Sequence, residues 1–162
     1  MKNVITVLLT FNLMAGGMHA VSAKESTAPW GSAQSLDIKY NPQKVLYDVT
    51  TGDKAKLSNI LDRLGFLYKL YGSDPMDSSI IVIIHGDAIP FFAIKKFSTF
   101  KELMVRAQSL TVGTPIEFRM CKAAAKLMGY DPKDIHGFVK MVPMADAEIV
   151  RLQQEEGYAY MR

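Results

Sequence analysis

The sequence predicts a single α/β domain, a layer sandwich built on a mostly parallel five-stranded sheet. Strand-like and helix-like segments alternate from Lys44 to the end of the chain. The run "IIVII", Ile80 to Ile84, is wholly apolar and β-branched, as expected of a parallel strand covered on both faces. Nearly half of the 162 residues, 49%, are hydrophobic, enough to fill one core of ordinary size. Such alternation is accommodated by one sheet with right-handed crossovers and helices on its faces.

The elements follow in order. Lys44 to Val49 ("KVLYDV") reads as a short strand. Asp53 to Tyr71 reads as an amphipathic helix, because Leu57, Ile60, Leu61, Leu64, Leu67 and Tyr68 recur at helical spacing. Gly72 is suited to cap that helix and Pro75 to prevent its continuation. After the buried strand, Ala88 to Ile94 is expected to be a short helix with Pro90 in its first turn, and Thr99 to Leu110 a longer one. Ile116 to Met120 is a strand, Lys122 to Met128 a helix ended by Gly129, and Asp131-Pro132 the opening of a further turn. Phe138 to Pro143, Ala145 to Glu156 and "YAYM" supply a strand, a helix and a last strand. Flavodoxin-like or doubly wound arrangements suit this order. In them, ligands bind beyond the carboxyl ends of the strands.

The start of the chain reads differently. Met1-Lys2-Asn3, an apolar run from Val4 to Met14 and the small residues of "HAVSA" have the form of a signal peptide, residues 1–23, cleaved after Ala23 or, second, after Ala20. The apolar run is shorter than the roughly 20 residues of a membrane span, and no later segment is expected to span a membrane. The expected location is therefore the periplasm or another exported compartment. Residues 24–42 read as a linker and 43–162 as the domain. Net charge is +3 without a basic run longer than Lys95-Lys96, so no nucleic-acid partner is expected.

Three features fall at carboxyl ends of strands: Thr50-Thr51-Gly52-Asp53, His85-Gly86-Asp87, and Cys121. Cys121 is the only cysteine, so no disulfide can form within the chain. It stands at the start of a helix with Arg119 and Lys122 close in sequence, an environment that favours a thiolate. Equally, a free cysteine is a small apolar side chain that is commonly buried. His85 is a candidate base or thiolate partner, or a strand end held by backbone bonds. Asp53 and Asp87 read as helix caps. No histidine has ligand-spaced neighbours, the methionines are not clustered, and the loop "VTTGDKAK" holds one glycine. Neither a metal nor a cofactor is expected. Phe91-Phe92, with Ile94 and Phe97, reads as a surface buried between subunits.

The segment "IEFRMCKAAAKLMG", Ile116 to Gly129, resembles the cysteine-bearing segment of the DsrE/TusD/YchN (DsrE) family of small sulfur-handling proteins. Both have an apolar strand, a cysteine, a run of small residues and a glycine. The resemblance extends over most of Lys44 to Met161, including "IIVIIHGD", "DPKDI" and "VPMADAEIVRLQQEEGYAYM", and is closest to the exported DsrE-like branch. It implies a flavodoxin-like fold, a homo-oligomer (trimer or hexamer), and a persulfide carried on Cys121. The expected function is acceptance and onward transfer of sulfane sulfur by Cys121, as sulfurtransferase or carrier, with a sulfur-donor or acceptor protein as partner. Lys122 and Arg119 would steady the thiolate and His85 would shuttle its proton. The alternative is a non-enzymatic ligand-binding or assembly module in which Cys121 only packs. A thiol-disulfide enzyme is disfavoured by the absence of a Cys-x-x-Cys pair.

Overall fold

The computed structural model describes residues 29–162. The expected signal peptide, and residues 24–28 of the expected linker, lie outside the described residues. The chain divides into two units, residues 1–37 and 38–162. The described part of the first, 29–37, is exposed and holds no helix or strand. The second unit begins a few residues before the expected boundary: Ile38, Lys39, Tyr40 and Pro42 line one surface hollow with Leu70 and Tyr71.

Five strands form one wholly parallel sheet: β1 (Lys44–Val49), β2 (Ser79–Ile84), β3 (Ile116–Cys121), β4 (Val139–Val142) and β5 (Ala159–Met161), in the order β4-β3-β2-β1-β5. β2 is the middle strand, and Ile80 to Ile84 are at most 2% exposed. Side chains alternate along it, so Ile80, Val82 and Ile84 enter one core while Ile81 and Ile83 enter another. Each such burial contributes roughly 2 kcal/mol of hydrophobic stabilisation.

The two cores are unequal. The larger is closed by α1 (Lys54–Leu70) through Leu57, Leu61 and Leu64, and by α2 (Phe97–Leu110) through Leu103, Met104 and Ala107. Ala125 of the six-residue α3 (Lys122–Leu127) joins the same core. The smaller is closed by α4 (Ala145–Glu156), whose Ala145 and Leu152 pack on Leu46, Ile81 and Ile83. Asp53 caps α1 as its position suggests, accepting from the amides of Ala55 at 2.7 Å and Lys56 at 3.2 Å.

The connection after β2 departs from expectation. The expected short helix is present as a 3-10 helix, Gly86–Phe92, but Phe91 and Phe92 are 4% and 0% exposed inside the larger core. Phe91 meets Phe100 edge-on at 4.7 Å, and Phe92 lies 5.8 Å from Phe118. These rings are therefore core, not subunit surface; only Ile94 and Phe97 of that group are exposed. The segment lies against the sheet and covers it with its own side chains, which a run read in isolation does not reveal.

Phe92→Ala is expected to lower unfolding free energy by about 3–5 kcal/mol, measured by denaturant titration, and Ile94→Ala by no more than about 0.5 kcal/mol. Equal losses would contradict this packing.

Candidate functional site

The strand order makes β1, β2 and β3 consecutive neighbours, so the three carboxyl-end features lie side by side on one rim. The loops after β1 and β2 are in close contact. A Cβ on Gly52 would stand 3.1 Å from the Cβ of Asp87, and Gly86 takes a left-handed φ of +54° beside the Thr50 carbonyl, a conformation that glycine adopts without steric cost. Asp87 is not the cap expected there: it is the second residue of the 3-10 helix Gly86–Phe92, whose N-cap position is His85 and which has no side-chain capping bond. A hollow of about 380 Å³ beside this edge is lined by Asp48, Thr50, Thr51, Lys56 and Arg162, among others.

Alternation decides which side chains share a face. Leu46, Ile81, Ile83 and Cys121 belong to the smaller core, on the α4 side, and two-residue periodicity places Asp48 and His85 on that side as well. β2 and β3 pair up to Ile84 with Met120, so His85 and Cys121 are the next residues along the two neighbouring chains. At the end of β3 the chain enters α3 on the larger-core face, whereas at the end of neighbouring β4 it enters α4 on the opposite face. Cys121 thus stands where adjacent strands send their connections to opposite sides, the position at which open α/β sheets bind ligands.

Cys121 is 5% exposed and packs with Leu46, Ile81, Ile83, Ala145, Leu152 and Tyr158. Its Sγ accepts from the Ala124 amide at 3.4 Å. α3 is too short to bring a sizeable macrodipole, so the sulfur's local support is one directed N–H. Lys122 is exposed at the first position of α3. Arg119 has other partners: Glu117 of its own strand and Glu148 of α4, so its charge is balanced there rather than offered to the thiol. Lys140 also pairs with Glu117, and Arg151 with Glu148 and Glu156. The Arg151 hydrogen bonds hold the Glu148 carboxyl below the usual carboxylate range; burial opposes this, and Arg119 adds to the lowering.

His85 is built into a cluster that the sequence reading does not contain. Its Nε2 lies 2.6 Å from Asp48 Oδ1. The second oxygen, Asp48 Oδ2, accepts from the Tyr160 hydroxyl at 2.5 Å. The side chains of His85 and Asp48 are 22% and 12% exposed. The Asp48 hydrogen bond, with burial adding to it, pushes the Tyr160 phenol above its ordinary range. A faint signal for Asp48 exists in "KVLYDV", where Asp48 is the acidic residue of a strand otherwise largely apolar. Its partners come from β5 and the end of β2, which local sequence does not link. His136, the other described histidine, lies at the amino end of β4 between Phe97 and Phe138, away from this rim.

Among the described residues no group of three or more His, Cys, Asp or Glu side chains is placed to hold a metal ion, and no helix is long and apolar enough to cross a membrane. No protein-family profile matches the chain, and no curated protein matches it. Among solved structures it is similar to a protein of unknown function from Methanobacterium thermoautotrophicum, with 20% identity and a TM-score of 0.57 over 74% of this chain and 98% of that one. A likeness at that identity shows the compact α/β fold alone.

Glu148→Gln is expected to cost about 2 kcal/mol at neutral pH through the lost charge-assisted hydrogen bonds. Glu148 has a lowered folded-state pKa, so its contribution is complete above the unfolded value of about 4.3 and disappears as pH falls through the lower folded value. Unfolding curves of the two proteins should therefore converge on acidification; a constant gap would contradict the assignment.

Proposed function

We propose that the chain is an exported, DsrE-like sulfur-handling protein in which Cys121 accepts sulfane sulfur and passes it on as a persulfide. The observation that carries the reading is that Cys121, at the parting of β3 and β4, and His85 are the residues that follow the last paired positions, Met120 and Ile84, of neighbouring strands. The resemblance of Ile116 to Gly129 to the cysteine segment of the DsrE family supports it. So does the α/β fold, which suits that family.

In this reading the Cys121 thiol gives its proton to His85. The thiolate attacks the outer sulfur of a donor R–S–SH; the donor S–S bond breaks, and its electron pair leaves on RS⁻, which takes a proton. Cys121 is left as a persulfide, with no external oxidant required, because the transferred sulfur keeps its oxidation state. An acceptor thiolate then attacks that outer sulfur and Cys121 is released. The Ala124 amide and exposed Lys122 support the anion, while Arg119 contributes through the ion pairs that dock α4. The signal peptide 1–23 and a periplasmic location belong to the same proposal. So does assembly into a trimer or hexamer, for which exposed Phe66 and Val105, along a groove between α1 and α2, offer an apolar surface.

The second reading, a binding or assembly module with Cys121 as packing, is favoured by one observation: the 5% exposure of the thiol within an aliphatic cluster.

Incubation of the full chain with a soluble sulfane donor, followed by intact-mass measurement, separates the two. The sulfur-handling reading requires wild type to gain the mass of one sulfur atom, reversibly with thiol, and Cys121→Ala to gain none. Wild type without added sulfur, or equal addition to both, leaves the packing reading.

A further inference from the structure

Resting on that reading, we propose that Asp48, anchored by Tyr160, is the positioning residue of His85: it holds the imidazole in the tautomer that leaves Nδ1 free to accept the thiol proton. Three strands meet in this device. Asp48 projects from β1, His85 follows β2, and Tyr160 lies on edge strand β5. Each carboxylate oxygen has its own donor, His85 Nε2 at 2.6 Å and the Tyr160 hydroxyl at 2.5 Å. A carboxylate only 12% exposed is costly to bury unless it is satisfied in this way.

The geometry constrains the proton. An ionised Asp48 only accepts, so the nitrogen facing it carries hydrogen, and the neutral ring then has its lone pair on Nδ1. Among the described residues the ring's hydrogen bond is the one through Nε2. Fixing a histidine tautomer through a carboxylate is a general way of assigning donor and acceptor roles to the two nitrogens. Tyr160, whose hydroxyl donates to Oδ2, fills the second oxygen and keeps the carboxylate from turning away from His85. Asp48 touches neither substrate nor sulfur in this scheme; it acts through His85.

The test uses two readouts on the full chain: long-range ¹H–¹⁵N correlation spectra of the imidazole rings, and the rate at neutral pH at which Cys121 attacks a chromogenic aromatic disulfide. Wild type should carry the His85 proton on Nε2. In Asp48→Asn the amide can donate to Nε2, so the proton should move largely to Nδ1, and the thiol rate should fall on the order of tenfold, close to that of His85→Gln. Tyr160→Phe removes one hydroxyl from an edge strand and keeps the test alive if Asp48→Asn does not fold; intermediate tautomer populations and an intermediate rate are expected. A wild-type proton on Nδ1, or tautomers unchanged in both variants, overturns the positioning role while leaving sulfur loading of Cys121 to its own mass test. Shifted tautomers with rates unchanged in Asp48→Asn and His85→Gln overturn the proposed part of this cluster in thiol chemistry.

Discussion

Burial of β2 on both faces is the constraint from which the rest of the architecture follows. Five consecutive β-branched side chains, each at most 2% exposed, require a strand on either side and a layer above and below. β1 and β3 supply the first, and the helices supply the second. With period-two alternation, a one-residue slip would exchange the two cores, so the register is firmly specified. That register sets Asp48, His85 and Cys121 on a common face. Their arrangement is thus a consequence of how the aliphatic strand is buried, not of any direct attraction among them.

The faces differ in how they are covered. One carries α1, α2, α3 and the 3-10 segment over a broad apolar core. The other carries α4 over a small one, and polar groups gather around it. Glu117, Arg119, Glu148 and Arg151 form a chain of ion pairs between β3 and α4, and the Asp48 cluster lies toward β5. Partly exposed ion pairs contribute modestly to stability. Their consequence here is positional: they hold α4, whose Ala145 and Leu152 pack with Cys121. The thiol therefore lies in a small apolar cluster between two polar ones, with one backbone amide directed at it.

Local sequence carried the parts of this fold that local physics determines. The α1 cap at Asp53, the helix Ala145–Glu156 and the strand Ile80–Ile84 all follow from side chains within a few positions of one another. The rim was legible too, because every parallel strand ends on the same edge, but its strand order was not. The burial of Phe91 and Phe92 in the chain's own core is not legible locally, because an apolar pair looks the same whether another subunit or the chain's own sheet covers it. Arg119 stands two residues from Cys121 in sequence, while its α4 partner, Glu148, is 29 residues away. Asp48 and Tyr160 lie 112 residues apart, and only the placement of β5 beside β1 joins them. In each case the missing information was a pairing across the fold.

Sulfur transfer by Cys121 requires a nearly enclosed sulfur to act as a nucleophile in the folded protein. The most direct measurement is the rate of alkylation of Cys121 by a small neutral reagent, followed by peptide mapping across a denaturant series below the unfolding transition. Native-state chemistry predicts a finite rate that stays flat until the protein unfolds. A rate that is negligible in the native state and rises only in step with the unfolded population would mean that the sulfur is reached by unfolding alone, contrary to its proposed role.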